Sequence, residues 1–532
     1  MTHARRARAL ALSILLGSST FAAYAQKSGG ILRVPQRENP SSASLHEESS
    51  ISAMQPFMAV YNNLVIYDQQ VDMATAESIR PELATSWSWS ADNKVLTMKL
   101  REGVKWHDGK PFTSADVQCT WETVMGKRDA GWRKNSHKEW YVNLKEVQTN
   151  GPHEVKFVLG RPQPAFLSVL GSGWSPVYPC HVDGRTMRSK PIGTGPFKVS
   201  EYRPNESIRL VKNPDYWRQG RPYLDGITYR IIPSAATRLL AFQANEFDMS
   251  GSSTVLNLLQ MKEVQTKAPN TVCSTTGSLV TGVVLINHKV PPFDNPNVRR
   301  AVALALDREA FVKSHHGGSR IGGIMMSAPY GSWGLTSEQL SSIPGYGKDM
   351  EKNRAEARKL MEEAGYGPKN TLKVPILVRS TSPAFVAGAT LTSDQLRSIY
   401  IESTVDVKEY SIFTGAIIKG AYQLGFETSG SAIDDPDVVL YENFMCSSIR
   451  NYNKYCNKDI EAKIEAQSQM IDQAKRRQLV NEIDQQLLRE QARIAVYHST
   501  SQACWHPYVK GYLRAKNGIY THHRMEDVWL DK

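Results

Sequence analysis

Three aspartates lie close together in the stretch TSGSAIDDPD, residues 428–437, within a chain that is basic overall. Carboxylates at Asp434, Asp435 and Asp437 could hold a metal ion, bind an amine or position a catalytic water. Asp435 and Asp437 flank a proline, and Asp often forms turns or caps helices because its side chain accepts main-chain N–H hydrogen bonds. We therefore expect these two acids to shape a turn and to cap a helix that begins near Val438. Asp434 is then the acid that could face a ligand.

A second set of candidates combines an arginine with aromatic rings. Arg379 follows the apolar run of TLKVPILVRS (371–380), which predicts a strand leading into a loop. A guanidinium suits carboxylate binding because its planar fork donates two parallel hydrogen bonds. A salt bridge to Asp434 or another acid is the alternative role. Trp174 and Tyr178 lie in GSGWSPVY (171–178), where an aromatic ring could stack on a ligand or belong to the core.

The sequence lacks the motifs of common enzymes. It contains neither G-x-S-x-G nor H-E-x-x-H, and its G-x-G runs lack the third glycine of a dinucleotide-binding loop. The pairs His315-His316 and His522-His523 are adjacent in sequence, so their side chains diverge, and we expect them on the surface. We expect no enzymatic activity, no cofactor and no metal. A secreted hydrolase that uses the acidic turn is the less favoured alternative.

The N-terminus has the layout of a secretory signal peptide. Arg5, Arg6 and Arg8 precede an apolar stretch that is too short to span a bilayer, and Ala23-Tyr24-Ala25 fits a cleavage site. We assign residues 1–25 to this signal and expect a periplasmic product. The 64 Lys and Arg exceed the 52 Asp and Glu, but no Arg-rich run or aromatic-basic stripe lies outside the signal, which argues against nucleic acid as a partner.

Six cysteines are an even number, which permits disulfides in an oxidising compartment. Cys446 and Cys456 bracket a short polar loop, and we expect a disulfide between them. The pairing of Cys119, Cys180, Cys273 and Cys504 stays open.

Strands are predicted mainly in the first half of the chain and helices in the second. Alternating apolar residues predict strands at 95–100, 153–159 and 207–213. Asn295-Pro296 predicts a helix start, with Asn295 as N-cap, and Gly365 predicts the end of a helix over 352–367. Residues 459–491 read as one long helix or two joined ones. The region from about 285 to about 500 therefore reads as an α/β domain.

Several of these stretches together resemble the family-5 periplasmic substrate-binding proteins of ABC importers, which bind dipeptides, oligopeptides and nickel chelates. The motif REGVKWHDGKPFTSADV (101–117) carries the most specific match. The stretches PIGTGPFKVSEYRPNESIRLVKNPDYW (191–217) and PFDNPNVRRAVALALDREAFV (292–312) support it. The resemblance covers nearly the whole chain after residue 25.

This resemblance implies an α/β Venus-flytrap fold, in which two lobes close around a ligand and the first lobe carries an extra inserted domain. Lobe I would comprise residues 26–60, 190–280 and 505–532. The inserted domain would comprise residues 61–189, and lobe II residues 281–504. We expect a monomer that binds a small peptide-like or other carboxylate-bearing solute and delivers it to the membrane subunits of an ABC permease.

The resemblance also implies where the ligand binds. In dipeptide binders an Arg at the end of the strand equivalent to 371–380 holds the ligand carboxylate, which corresponds to Arg379. An Asp in the equivalent turn holds the ligand amine, but alignment on D-P-D places Ala432 there. The predicted ligand-binding residues are Arg379, Trp174, Tyr178, Gly430, Ser431, Ala432, Asp434, Glu47 and Ser49. The missing Asp leaves open whether Asp434 replaces it, and whether the ligand is instead a metal chelate or haem.

Overall fold

The computed structural model describes residues 26–129, 131–133, 135–251, 256–314, 318–380 and 383–532. The predicted signal peptide and the pair His315-His316 lie outside the described residues. Among the helices that are described, none is long and apolar enough to cross a membrane.

The strands are numbered here in chain order. They are β1 (Ile31–Gln36), β2 (Val65–Tyr67), β3 (Ile79–Pro81), β4 (Ala84–Trp89), β5 (Val95–Leu100), β6 (Leu144–Thr149), β7 (Glu154–Leu159), β8 (Phe197–Arg203), β9 (Ser207–Lys212), β10 (Gly226–Ile231), β11 (Val272–Ile286), β12 (Ser319–Arg320), β13 (Leu372–Arg379), β14 (Ile401–Lys408), β15 (Leu424–Gly430), β16 (Ile494–Trp505), β17 (Val509–Lys510) and β18 (Trp529–Leu530).

The α-helices are numbered in the same way. They are α1 (Ile51–Phe57), α2 (Ser114–Val124), α3 (Phe166–Leu170), α4 (Gly184–Met187), α5 (Ala235–Gln243), α6 (Leu258–Lys267), α7 (Pro296–Ala305), α8 (Arg308–Ser314), α9 (Ser337–Ser341), α10 (Met350–Glu363), α11 (Pro383–Leu396), α12 (Tyr410–Lys419), α13 (Pro436–Phe444), α14 (Lys458–Gln469) and α15 (Gln473–Arg489).

The first half of the chain forms two separate four-stranded sheets. One has the order β1-β10-β9-β8, in which β1 runs parallel to β10 and the other pairs are antiparallel. The other has the order β4-β5-β7-β6 and is antiparallel throughout. The first sheet draws its strands from segments predicted for lobe I, and the second lies within residues predicted as the inserted domain.

A six-stranded mixed sheet organises the second half, with the order β12-β16-β11-β15-β13-β14. Strand β13 is parallel to β14 and β15, whereas β11 is antiparallel to β15 and β16. The long strands β11 and β16 each contain one of the predicted lobe boundaries, at 280/281 and 504/505. The domain boundaries themselves stay a prediction.

Several predicted elements are confirmed. The strand predicted at 95–100 is β5, and the Asn295 side chain caps α7 by accepting a hydrogen bond from the Asn297 N–H. Gly365 follows α10 with φ +89°, a backbone conformation that favours glycine. The region 459–491 forms two helices, α14 and α15, because the chain leaves the helix at Met470 and a new helix starts after the Asp472 cap.

The predicted disulfide between Cys446 and Cys456 is present, with a Cα–Cα distance of 4.9 Å. The remaining cysteines pair as Cys119–Cys180 and Cys273–Cys504. The Cys273–Cys504 bond joins directly opposed residues of β11 and β16, the two strands that cross the predicted lobe boundary.

Candidate functional site

Arg379 and Glu427 meet at the ends of two neighbouring parallel strands. Register pairs Ile376 with Leu424 and Leu377 with Gly425, so Arg379 on β13 and Glu427 on β15 lie at the same level of the sheet. Their side chains form an ion pair of 2.6 Å between Nη2 and Oε1. The predicted alternative for Arg379, a salt bridge to an acid, is therefore realised, with Glu427 rather than Asp434.

The surroundings of Arg379 leave part of its guanidinium accessible. Its side chain is 19% exposed, and the guanidinium lies over the ring of Phe385 at 4.1 Å from the centroid. Its Nη2 also lies 3.5 Å from the Thr428 hydroxyl oxygen. Burial raises the pKa of Glu427, and the attraction of Arg379 offsets this only in part. Glu427 is therefore protonated more readily than a carboxylate on the surface.

The turn after β15 brings lobe II against the first lobe. A side chain at Gly430 would place its Cβ 3.3 Å from the hydroxyl of Tyr520. Ala432 is 5% exposed and belongs to the apolar cluster that contains Trp174 and Leu32. The Ser431 hydroxyl donates to the main-chain oxygen of Ile433. The Ala432 side chain thus packs within an apolar cluster.

Asp434 points into lobe II. Its Oδ2 accepts a hydrogen bond from the Ser332 N–H at 2.8 Å, and its main-chain oxygen accepts one from Trp333 Nε1 at 3.0 Å. Burial raises the pKa of Asp434 to about 7. The acid that stands beside Arg379 is Glu427, so the structure gives Asp434 no part in that pair.

Asp435 and Asp437 are structural. Asp435 is the N-cap of α13 and accepts from the Asp437 N–H at 2.9 Å, which confirms the predicted cap. Arg476 of α15 binds Asp435 at 2.7 Å and Asp437 at 3.1 Å. Burial alone would lower the pKa of Arg476, but the two carboxylates outweigh it and hold that pKa above its ordinary value.

The two predicted aromatic residues are both buried. Trp174 is 2% exposed, and its ring centroid lies 5.1 Å from that of His137 and 5.8 Å from that of Tyr520. Tyr178 packs on Tyr61 at 4.9 Å, and its hydroxyl accepts a hydrogen bond from the Leu45 N–H. Trp174 therefore lies near the turn after β15, whereas Tyr178 lies in an aromatic cluster of the first half. Ligand contact by either ring stays a prediction.

Glu47 and Ser49 lie on the same short segment but differ in exposure. Glu47 is 8% exposed, pairs with Arg188 at 2.8 Å and accepts a hydrogen bond from the Arg133 N–H. Ser49 is exposed. Their predicted ligand contacts remain untested.

Residues of the predicted inserted domain reach across to α13 and α14. His137 Nδ1 lies 2.9 Å from Glu442 Oε1, and Gln163 donates to Asp437 at 3.2 Å. Arg161 donates to Ser468 at 3.1 Å and also contacts Tyr441 and Glu465. These contacts hold the first half of the chain against lobe II.

Three residues of this region were not predicted from the sequence. Glu427 precedes the quoted acidic stretch by one residue, and only the strand order reveals that it adjoins Arg379. Tyr520 and His137 come from distant parts of the chain. A weak signal for Glu427 was its place in an otherwise apolar strand, LGF followed by Glu.

One sequence prediction about histidines is wrong. His522 and His523 are 7% and 3% exposed rather than on the surface, and the Nε2 atom of each ring lies within hydrogen-bond distance of a main-chain oxygen, that of Asp68 and of Ile519 respectively. Burial lowers the pKa of both to about 4. Within the described part of the chain, no group of three or more His, Cys, Asp and Glu side chains is placed to hold a metal ion.

Comparison with known proteins identifies a family and several relatives. The family "Bacterial extracellular solute-binding proteins, family 5 Middle" matches residues 78–451. A probable di/tripeptide-binding protein 5 of Pseudomonas aeruginosa is 27% identical over 481 residues, covering 85% of this chain and 86% of that one.

Solved structures share the fold. The periplasmic binding protein DppA of Helicobacter pylori, in complex with the peptide STSA, has a TM-score of 0.81 at 24% identity, covering 95% of this chain and 99% of that one. The PBP AgaA of A. tumefaciens R10, in complex with agropinic acid, has a TM-score of 0.82 at 22% identity, covering 94% and 99%.

The family match spans more than half of the chain, so the protein belongs to family 5 of the bacterial extracellular solute-binding proteins. It has the two-lobe α/β fold of that family and is the solute-binding receptor of an ABC import system.

Proposed function

We propose that this receptor takes up a small carboxylate-bearing solute, peptide-like or similar, and that Arg379 holds the carboxylate. The observation that carries the proposal is the position of a partly exposed guanidinium at the end of β13, fixed by Glu427 and Phe385. Strand ends in the cleft of such α/β folds are where ligands bind. The names of two compared proteins, which mention di/tripeptides and agropinic acid, support a carboxylate ligand.

The ligand needs no free amine near residue 432. Ala432 is buried among apolar side chains, and Asp434 is hydrogen-bonded within lobe II. An ammonium group placed there would lose water without gaining a carboxylate partner, which is unfavourable. The solute we propose therefore binds through its acid group, with an apolar or blocked portion near Ala432.

We further propose that the protein acts in the periplasm as a monomer, without turnover, and passes its ligand to the permease. A ligand drives closure only if it binds the closed arrangement better than the open one. Arg379 in lobe II and Trp174 and Ser49 in the first half would supply contacts from both sides.

A thermal-shift screen tests this proposal first, because a ligand that binds the native state raises the unfolding midpoint. The screen compares dipeptides, N-acetylated dipeptides, opine-like acids, neutral sugars and metal chelates. We expect the stabilising compounds to carry a free carboxylate and to tolerate N-acetylation. Stabilisation by sugars or chelates alone, or consumption of a compound in excess of protein, would contradict the proposal.

A gain-of-function substitution gives a second test. Ala432→Asp places a carboxylate at the apolar position, so we expect it to shift preference from the N-acetylated towards the free-amine form of the same dipeptide. Calorimetry measures both affinities. Thr390→Asp, on the exposed face of α11, is the control that adds the same charge away from the site. An unchanged preference in Ala432→Asp would contradict the assignment of position 432 to the ligand site.

A further inference from the structure

A small cavity lies inside lobe II, behind the end of β15. Its volume is about 30 Å³, enough for one or two waters or one small ion. Its polar lining consists of Thr281, Ser429, Ser431, Asp434, Asp435 and Arg493, of which Asp435 is paired with Arg476. Apolar side chains that include Leu279, Met325 and Trp333 complete the wall.

Arg493, the residue before β16, is the unusual group in this cavity. It is 3% exposed, and its Nη1 donates to Ser429 Oγ at 2.8 Å and to Asn443 Oδ1 at 2.9 Å. Its Nε and Nη2 are buried and have no hydrogen-bond partner among the described residues. Burial lowers the pKa of Arg493 to about 10, so it remains a cation at neutral pH.

The other buried arginines among the described residues bind carboxylates or main-chain oxygens, and Arg238 has only the main-chain oxygens of Ile232 and Pro233. Arg476 binds the carboxylates of Asp435 and Asp437, and Arg524 binds that of Glu82. Arg308 donates to four main-chain oxygens. Arg493 likewise has only two neutral oxygens and, within the described ranges, no ion pair, but unlike Arg238 it lines a cavity. A buried cation of this kind is costly unless an anion accompanies it.

We propose that Arg493 and Ser429 bind a monovalent anion of chloride size in this cavity. Water alone would satisfy the Nε and Nη2 groups but would add no negative charge, and the Glu442 carboxylate, the acid that attracts Arg493, is already bound to His137 and Arg450. The cavity is too small for an organic acid. The site is therefore distinct from the carboxylate site proposed at Arg379 and does not depend on it.

Asp434 makes this anion site sensitive to pH. Its carboxyl lines the same cavity, and burial raises its pKa to about 7, so it loses its repulsion towards an anion as pH falls. Three other groups face Asp434 from neighbouring elements: Asp435, Arg477 and Tyr67. Around Arg493, the ionisable neighbours are Glu442, Arg450, Tyr422 and Tyr452. The anion should thus bind more tightly below pH 7 than above it.

Thermal unfolding without organic ligand tests the proposal. The full mature chain is compared in sodium chloride and sodium gluconate of equal ionic strength, at pH 5.5 and 8.5. We expect a higher midpoint in chloride, with the larger difference at pH 5.5. Asp434→Asn should keep the chloride effect and make it equal at the two pH values. Arg493→Met should abolish it, whereas Arg489→Met, at an exposed position of α15, should not.

Bromide gives a test that does not depend on the variants folding. We expect anomalous scattering from bromide beside Arg493 in crystals of the unmodified protein. Equal midpoints in chloride and gluconate, with no bromide at Arg493, would show that water alone fills the cavity and would overturn the proposal. A chloride effect that persists in Arg493→Met would overturn it too. Failure of the Arg379 carboxylate site would leave these readouts unchanged.

Discussion

Two arginine–carboxylate groups lie on either side of the turn at 428–437, and they differ in exposure and in the acids they bind. The Arg476 side chain is 5% exposed and binds two aspartates, whereas that of Arg379 is 19% exposed and pairs with Glu427. Arg476 is further surrounded by Gln467 and the ring of Trp333. The buried group joins the turn to α15, and the more open group stands at the end of a strand.

This difference assigns a structural role to Arg476 and a ligand-binding role to Arg379 within one short region. The guanidinium of Arg476 has carboxylate partners on both sides, so a ligand has no access to it. Arg379 pairs with Glu427, whose pKa burial raises, and its charge also lowers the pKa of Glu38. Part of the Arg379 side chain reaches solvent. A ligand carboxylate can therefore share or replace that partner at Arg379 but not at Arg476.

The largest effect is expected at the buried group. Arg476→Met leaves Asp435 and Asp437 buried without their cation, which should lower the free energy of unfolding by about 3–5 kcal/mol. The thermal midpoint measures this loss. Adding Asp435→Asn and Asp437→Asn should recover part of it, because neutral amides cost less to bury. A midpoint unchanged by Arg476→Met would contradict a structural role for the group.

The second largest effect is expected on the pH dependence of stability, through Asp434. Burial raises the pKa of Asp434 from 3.8 to about 7, so the native state binds more protons than the unfolded chain in this window. Stability contributed by Asp434 is fully present below pH 3.8 and is lost as pH rises through about 7. Asp434→Asn should remove on the order of 2 kcal/mol of the decline between pH 5 and pH 8.

Urea unfolding at the two pH values measures that slope. Asp394→Asn is the matched control, because its side chain is 55% exposed on α11. If the free energy of unfolding of Asp434→Asn falls between pH 5 and pH 8 as much as that of the unmodified protein, Asp434 is not a buried acid that resists ionisation.

A smaller effect is expected where the first half of the chain touches α13 and α14. Arg161→Met removes the contacts with Tyr441, Glu465 and Ser468, which hold the two sides together. If these contacts help to close the lobes, ligand affinity should fall about tenfold, or about 1.4 kcal/mol, with little change in the unfolding midpoint. Calorimetry compares it with Lys138→Met, at an exposed position of the same region. Equal affinities would show that closure does not use Arg161.

The sequence predicted local features of this region well. Asp435 caps α13, Asn295 caps α7 and Cys446 bonds Cys456, and each of these depends on residues close together in the chain. The family resemblance predicted the two-lobe fold, because its motifs extend along nearly the whole chain.

Contacts between distant segments could not be predicted. Arg379 meets Glu427 because β13 and β15 are neighbours in the sheet, and a single sequence does not reveal strand order. His522 and His523 are buried, and the Nε2 atom of each ring lies within hydrogen-bond distance of a main-chain oxygen. The role of Ala432 stays a prediction, and the apolar cluster that surrounds it includes side chains from distant segments such as Trp174 and Leu32.

Calorimetric titration of a carboxylate ligand from the screen into Arg379→Met tests the central claim most directly. We predict a loss of affinity of about 100-fold or more, equivalent to about 2.7 kcal/mol, because charge-assisted hydrogen bonds to the carboxylate are removed. The unfolding midpoint should fall less than in Arg476→Met, because Arg379→Met leaves one buried acid without its cation rather than two. Arg397→Met, whose side chain is 66% exposed, should bind normally. An affinity unchanged in Arg379→Met would contradict the account.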